Sequence, residues 1–182
     1  MSLANKISLC RILLAPCLVA SLVYYTPARD GLRYLTLGLF LVGILSDALD
    51  GFVARSKGQQ SQLGILLDPI ADKLLIVSML ISLSTIRALP DWMRIPAWFN
   101  LIVFSRDALL VAGTILIFAF TGKIAVKTSW LGKWTIAVQM GVVLAVLLKC
   151  PAELKTPLLV IAAGLTVLSA IGYIRAGTRL LG

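Results

Sequence analysis

The chain has 182 residues, of which 59% are hydrophobic and only 14% are charged, and its mean hydropathy is +0.97. A soluble domain usually carries about a quarter of its residues as charges, so this composition predicts one domain, residues 1–182, embedded in a lipid bilayer. The chain contains no histidine, which excludes a histidine-ligated zinc site and a Ser-His-Asp triad.

Six apolar segments follow one another along the chain, at 9–26, 34–54, 63–86, 96–121, 130–149 and 156–174. Each approaches or exceeds the length of about 20 residues that spans a bilayer as a helix. A backbone in hydrocarbon must satisfy its own hydrogen bonds, so all six are predicted to be helices. The predicted fold is therefore an all-α bundle of six transmembrane helices. Residues 3–9 are a candidate for a separate short interfacial helix ahead of the first span.

Basic residues indicate the orientation of the bundle. With both termini in the cytoplasm, nine of the 17 lysines and arginines are assigned to the cytoplasmic side and six to the opposite side. The acids Asp30, Asp91 and Glu153 all fall on the opposite side. The net charge of +9 is dispersed among membrane loops, which favours anionic lipid head groups and phosphate-bearing substrates over nucleic acid as partners.

Four of the eight acidic residues lie within 26 residues, on the second and third predicted helices: Asp47, Asp50, Asp68 and Asp72. A carboxylate at the centre of a membrane helix costs about 2.5–3.5 kcal/mol on insertion scales, so four together need compensation. Spacings of three and four residues place each pair on one helix face, and the short loop predicts antiparallel neighbouring helices. Oxygen ligands converging in this way indicate a site for Mg²⁺, Mn²⁺ or Ca²⁺ rather than zinc.

Small and basic residues stand beside these acids. Gly51 directly follows Asp50, and Gly64 precedes Asp68 by one turn. Glycine in a helix interior costs about 1 kcal/mol against alanine, so its use here indicates close approach by either a ligand or a neighbouring helix. Arg55, one turn beyond Gly51, is suited to bidentate binding of a phosphate.

Together these residues form the string Asp47-x2-Asp50-Gly51-x2-Ala54-Arg55-x8-Gly64-x3-Asp68-x3-Asp72. The string resembles the signature of the CDP-alcohol phosphotransferase family at all eight defining positions and in every spacing. The N-terminal run Asn5-x2-Ser8-x2-Arg11 and the layout of six helices are also similar to those of the family.

This resemblance implies a phosphatidyl transfer from CDP-diacylglycerol to a glycerol-type alcohol, with release of CMP. It implies that Asp47, Asp50 and Asp68 bind Mg²⁺ or Mn²⁺, as two ions, and that Asp72 is the general base and a candidate fourth ligand. The residues implied at the CDP site are Ser8, Gly51, Ala54, Arg55 and Gly64. A homodimer in a bacterial inner membrane, with its active site facing the cytoplasm, is the expected setting.

The acceptor alcohol is less sharply indicated. The run 68–73 resembles the branch that makes phosphatidylglycerophosphate and cardiolipin. Enzymes of the first kind usually carry Arg-Glu and Gly-Lys-x-Lys where this chain has Arg106-Asp107 and Lys133 with Thr135. The run Ser105-Arg106-Asp107 instead resembles cardiolipin synthases, so both glycerol 3-phosphate, which we prefer, and phosphatidylglycerol remain open. The candidate ligands of an acceptor phosphate are Arg106, Lys123, Lys127 and Lys133, although Arg106 and Asp107 are also expected to neutralise each other if they are purely structural.

Other classes of protein also place carboxylates inside a membrane. An ion or proton transporter would account for the four aspartates but not for the glycines and Arg55 at matching offsets. Aromatic residues near the predicted helix ends, Tyr24, Tyr25, Trp92, Trp98 and Trp130, are expected to lie at the lipid head groups rather than in a substrate site.

Overall fold

A computed structural model describes the backbone of residues 3–57, 62–121 and 130–181, and the side chains of residues 9–46, 71, 73–117, 119 and 130–178. Throughout these ranges the regular structure is helical. The six α-helices are α1 (Leu3–Val23), α2 (Gly31–Lys57), α3 (Gln62–Thr85), α4 (Ala97–Thr121), α5 (Trp130–Leu147) and α6 (Ala152–Leu181). The prediction of six helices is confirmed. Residues 3–9 are continuous with α1 and do not form a separate helix.

Three helical segments of the described chain are long and apolar enough to cross a membrane: Asp91–Ile117, Trp130–Leu147 and Ala152–Thr178. Shorter apolar stretches belong to α1, α2 and α3, and these are Leu9–Val23, Gly31–Ser46 and Lys73–Thr85. The last two adjoin the part of the chain that carries the four aspartates. Long apolar helices of this kind agree with a membrane-bound chain.

Short turns separate several of the helices. A 3₁₀ turn, Pro27–Arg29, separates α1 from α2, and another, Asp91–Met93, precedes α4. At the end of α5 the amide of Cys150 donates to the carbonyl of Ala145 at 2.9 Å, while Lys149 has a φ of 56°. This left-handed position usually holds glycine, so Lys149 is retained there at a conformational cost.

The chain divides into two compact units, and the first comprises residues 1–94 with Leu147–Lys149. Here α1 packs against both α2 and α3. The core of this unit is formed by side chains with no exposed surface, among them Leu18 and Leu22 of α1, Phe40 of α2 and Met79 of α3. Between α1 and α2 the hydroxyls of Ser21 and Thr36 lie 2.7 Å apart. A hydrogen bond of this kind satisfies two polar groups that would otherwise face an apolar interior.

Asp30 organises one end of this first unit. Its carboxylate accepts Nε and Nη2 of Arg33, each at 2.9 Å, and Nζ of Lys149 at 3.0 Å. Arg33 is only 3% exposed, and its Nη1 donates to the carbonyl of Leu147. Tyr25 is also buried and donates to Asp30 at 3.3 Å, so its side chain faces the protein, and its place at the head groups stays a prediction. Exposed Tyr24, Trp92, Trp98 and Trp130 remain compatible with that role.

The second unit comprises residues 95–146 and 150–182, with α4, α5 and α6. One face of α6 carries buried polar residues at helical spacing, Thr166 and Ser169, followed by half-buried Tyr173. Thr166 accepts a hydrogen bond from Gln139 of α5 at 3.1 Å, and the hydroxyls of Tyr173 and Thr114 of α4 lie 3.0 Å apart. This polar face therefore joins all three helices of the unit.

We expect Asp30→Asn to lower the melting temperature of the detergent-solubilised protein, because buried Arg33 would lose its charged partner. Hydrogen bonds from Arg33, and then from Lys149, hold the pKa of Asp30 well below its usual range. A lowered pKa keeps the carboxylate charged in mild acid. The stability gap between wild type and variant should therefore be the same at neutral pH and at about pH 5, and should close only as Asp30 itself protonates at lower pH.

The matched control is Asp91→Asn. Asp91 also pairs with an arginine three residues away, at 3.3 Å, but its side chain is 97% exposed. An exposed pair contributes little, so this variant should melt with the wild type. Equal melting of the two variants would contradict the role of Asp30.

Candidate active site

The two acidic pairs lie on consecutive helices of the first unit. Asp47 and Asp50 are in α2, together with Gly51, Ala54 and Arg55. Asp68, Asp72 and Gly64 are in α3, and Ser8 is in α1. The helical backbone required by the predicted spacings is thus present at all of these positions. The side chains of these residues lie outside the described part of the chain, so their ligand roles stay predictions.

A contact between Gly43 of α2 and Leu75 of α3 defines the register of these two helices. Gly43 is buried, and a methyl group at this position would collide with Cδ1 of Leu75, which is 2% exposed. Asp47 and Asp50 follow Gly43 by four and seven residues. These offsets belong to one helix face, so the spacing predicts both acids on the face of α2 that meets α3.

The same rule applies to α3. Asp72 and Asp68 precede Leu75 by three and seven residues, again the offsets of one helix face. Counted from the connection between the helices, Asp47 and Asp50 lie ten and seven residues before Lys57 ends α2. Asp68 and Asp72 lie six and ten residues after Gln62 begins α3. At 1.5 Å per residue, both pairs are expected about 9–15 Å along their helices from that connection.

The donor chemistry of this segment fits a hard divalent cation. Four carboxylates on two adjoining helices supply only oxygen, and the chain has no histidine with which to favour zinc. Within the side chains that the structure describes, no group of three potential metal ligands occurs.

Two of the candidate ligands of the acceptor lie in the described part of the second unit, and the other two lie outside the described residues. Lys123 and Lys127 fall in residues 122–129, which are not described. Lys133 is exposed in the first turn of α5, beside Trp130 and Trp134. Its exposure is compatible both with binding a phosphate and with contacting lipid head groups.

Arg106 of α4 is 7% exposed and makes two bonds within the second unit. Its Nη1 donates to Oδ1 of Asp107 at 2.8 Å, and its Nη2 donates to Oγ of Ser169 on α6 at 3.0 Å. The alternative prediction, that Arg106 and Asp107 neutralise each other, describes the first of these bonds. Nε of Arg106 is buried and has no hydrogen-bond partner among the described residues.

Sequence reasoning missed Ser169 and Gly43. Ser169 contacts Arg106 across 63 positions of the chain, and serine in an apolar helix is too common to indicate a contact by itself. Gly43 carried a weak signal, since it is a glycine inside a helix one turn before Asp47. Its offset from the acids could have identified it as part of the same helix face.

Comparison with known proteins identifies the family of the chain. Residues 1–168 match the CDP-alcohol phosphatidyltransferase family. The chain belongs to this family. Its members are membrane-bound transferases of substituted phosphate groups and use divalent metal ions.

Several curated relatives cover most of the chain. A probable phosphatidylglycerophosphate synthase of Mycobacterium tuberculosis (strain ATCC 25618 / H37Rv) is 29% identical over 184 residues, covering 100% of this chain and 84% of the relative. The CDP-diacylglycerol--glycerol-3-phosphate 3-phosphatidyltransferase of Haemophilus influenzae is 32% identical over 168 residues, covering 91% and 87%. A similarly named enzyme of Arabidopsis thaliana is 31% identical over 196 residues, covering 99% and 81%.

Packing at Gly43 generates a prediction for activity. We expect Gly43→Ala to lower kcat about tenfold or more, because the added methyl group displaces Leu75 and shifts the acid-bearing faces of α2 and α3. The double variant Gly43→Ala/Leu75→Ala should recover part of the loss. Turnover of the purified protein and its melting temperature are the measurements.

Gly38 provides the matched control on the same helix. A methyl group there has no heavy atom within 4 Å, so Gly38→Ala should keep wild-type turnover. Equal turnover in the two single variants would show that the contact with Leu75 does not position the acids.

Proposed function

We propose that the chain is a phosphatidylglycerophosphate synthase that transfers the phosphatidyl group of CDP-diacylglycerol to glycerol 3-phosphate and releases CMP. The observation that carries this proposal is the similarity over nearly the whole chain to relatives named for this reaction. In the reaction an acceptor hydroxyl oxygen attacks the lipid-bearing phosphorus. The bond from that phosphorus to the oxygen of CMP breaks, and the hydroxyl proton passes to a base.

The four aspartates would perform the chemistry. Asp47, Asp50 and Asp68 are proposed to hold Mg²⁺ or Mn²⁺, as two ions, and Asp72 to remove the proton from the attacking hydroxyl while also contributing to the metal site. A bound divalent ion would neutralise the charge that develops on the diphosphate. Support comes from the spacing of the acids, which predicts that they lie on the faces where α2 and α3 meet.

The CDP group is proposed to lie along α2 and the start of α3. Gly51 and Gly64 would allow the nucleotide to approach the backbone closely, since neither has a Cβ. Arg55 would bind a phosphate oxygen, and Ala54 and Ser8 would complete the contact. All of these residues except Ser8 belong to the motif that carries the resemblance to the family.

The phosphate of glycerol 3-phosphate is proposed to bind to cations of the second unit. Arg106, Lys123, Lys127 and Lys133 are the candidates. Arg106 is buried in a membrane helix, where a charged side chain is costly and usually serves a function. Its guanidinium has five N–H bonds, of which Asp107 and Ser169 accept one each.

We further propose that the enzyme is a homodimer of the bacterial inner membrane, with the active site at the cytoplasmic side. The excess of basic residues in the loops assigned to that side supports the orientation. The acids are expected close to the connection of α2 and α3, which this orientation places in the cytoplasm. A water-soluble acceptor and the CDP group can both reach such a site from the aqueous phase.

Asp72→Asn should lower phosphatidyl transfer by at least about a hundredfold, because asparagine cannot accept the hydroxyl proton. The fold should be retained, which the melting temperature and the detergent-exchanged elution profile will report. Release of CMP from CDP-diacylglycerol measures the rate. A variant with wild-type turnover would refute the role of Asp72.

An acceptor assay separates the candidate substrates. Purified protein with CDP-diacylglycerol and Mg²⁺ or Mn²⁺ should form phosphatidylglycerophosphate from glycerol 3-phosphate and no cardiolipin from phosphatidylglycerol. Cardiolipin as the sole product would establish the alternative acceptor. A failure to release CMP with glycerol 3-phosphate, phosphatidylglycerol, inositol phosphate or serine would contradict the enzyme assignment for this chain. It would favour the alternative that the chain is an ion or proton transporter.

Chelation should abolish the reaction. EDTA is expected to stop CMP release, and excess Mg²⁺ or Mn²⁺ should restore it, whereas Zn²⁺ should restore little, because oxygen ligands in this number favour the harder ions. Asp47→Asn should raise the metal concentration needed for half-maximal rate. An unchanged metal requirement in that variant would remove Asp47 from the proposed ligand set.

A further inference from the structure

Arg106 is held from two sides within the second unit. Asp107, its neighbour in sequence, accepts from Nη1 at 2.8 Å, and Ser169 of α6 accepts from Nη2 at 3.0 Å. The arginine and serine are 7% and 2% exposed, so water does not compete freely for either bond. We propose that Asp107 and Ser169 are positioning residues, which fix the Arg106 guanidinium in the orientation that binds the phosphate of the acceptor. This inference rests on the proposed function, in which that phosphate binds to Arg106.

The two bonds differ in what they contribute. Asp107 balances the charge of Arg106, which makes a cation tolerable in a low-dielectric interior before an acceptor arrives. Ser169 is neutral, so it directs the guanidinium without weakening its charge. Residues adjacent on a helix do not face each other, and the hydroxyl on α6 therefore supplies the direction that Asp107 alone cannot.

The pattern of bonds leaves donors for an anion. Nε of Arg106 is buried and makes no hydrogen bond to the described residues, although nearly all buried polar atoms in native proteins have a partner. An arginine needed only to join α4 to α6 would gain by satisfying this atom. A guanidinium clamped at Nη1 and Nη2, with Nε unpartnered within the described chain, is instead suited to a further ligand with several acceptor oxygens, such as a phosphate.

Ser169 also lies just beyond residues 1–168, which match the family. The resemblance therefore assigns it no role, and the contact with Arg106 is the evidence for one. Thr166, one turn earlier on the same face of α6, is equally buried and accepts from Gln139 of α5 rather than from Arg106. It provides a matched control for the loss of a buried hydroxyl on this face.

The test measures KM for glycerol 3-phosphate, KM for CDP-diacylglycerol, kcat and melting temperature for purified variants. Ser169→Ala should raise KM for glycerol 3-phosphate about tenfold, the loss expected for a hydrogen bond to a charged group, with little change in KM for CDP-diacylglycerol. Ser169→Thr keeps the hydroxyl and should restore the wild-type KM. Asp107→Asn should raise the same KM, because it removes the charge that holds Nη1.

Thr166→Val should leave KM for glycerol 3-phosphate unchanged. An equal rise of this KM in Thr166→Val and Ser169→Ala would overturn the inference, because loss of any buried hydroxyl on α6 would then be enough to raise KM. An unchanged KM in both Ser169→Ala and Asp107→Asn would also overturn it. If Ser169→Ala has a lowered melting temperature, KM for glycerol 3-phosphate in the other two variants still tests the inference. It should be raised in Asp107→Asn and at the wild-type value in Ser169→Thr, and an unchanged KM in Asp107→Asn would overturn the inference.

Arg106→Gln separates the positioning roles of Asp107 and Ser169 from the acceptor-binding role of Arg106. A large rise in KM for glycerol 3-phosphate in Arg106→Gln, with no rise in Ser169→Ala or Asp107→Asn, would refute positioning and preserve the acceptor role of Arg106. A wild-type KM in Arg106→Gln would refute that acceptor role itself. An enzyme that makes no phosphatidylglycerophosphate from glycerol 3-phosphate would refute the proposed function.

Discussion

The cost of placing charge in an apolar medium governs this protein. A membrane helix accepts an ionised side chain only with compensation, because neither lipid nor a packed core solvates it. Wherever the structure describes a buried charge with its bonds, that compensation is visible. Arg33 has Asp30 and the carbonyl of Leu147, and Arg106 has Asp107 and Ser169. The four aspartates in α2 and α3 place four acidic groups within two helices and therefore need the most compensation. Their oxygen chemistry favours a divalent ion for this role.

Most of the architecture could be predicted from the sequence, since it follows from one-dimensional signals. The length of each apolar run sets a helix, and prolines such as Pro27 and Pro90 mark where helices are interrupted or begin. The acidic motif was equally accessible, because spacings of three, four and seven are read directly from a helix. The helix faces of its acids stay a prediction, because their side chains lie outside the described part of the chain.

Contacts between distant parts of the chain could not be predicted in this way. Lys149 and Asp30 are 119 positions apart, and Arg106 and Ser169 are 63 apart. Nothing in an apolar helix marks which serine will face which arginine. Tyr25 shows the same limit: nothing in the sequence indicates that its hydroxyl donates to Asp30. Local patterns predict elements, whereas the partners of polar groups depend on packing.

This difference explains why the donor half of the proposed reaction was easier to infer than the acceptor half. Recognition of the CDP group is expected from one compact motif on two consecutive helices. Recognition of the acceptor would depend on cations spread from α4 to α5, each of which has an alternative structural use. Arg106 is the clearest case, since pairing with Asp107 and binding a phosphate are not exclusive. A guanidinium with five donors can be neutralised by one neighbour, oriented by another and still bind a ligand, so a structural bond to Asp107 does not count against an acceptor role.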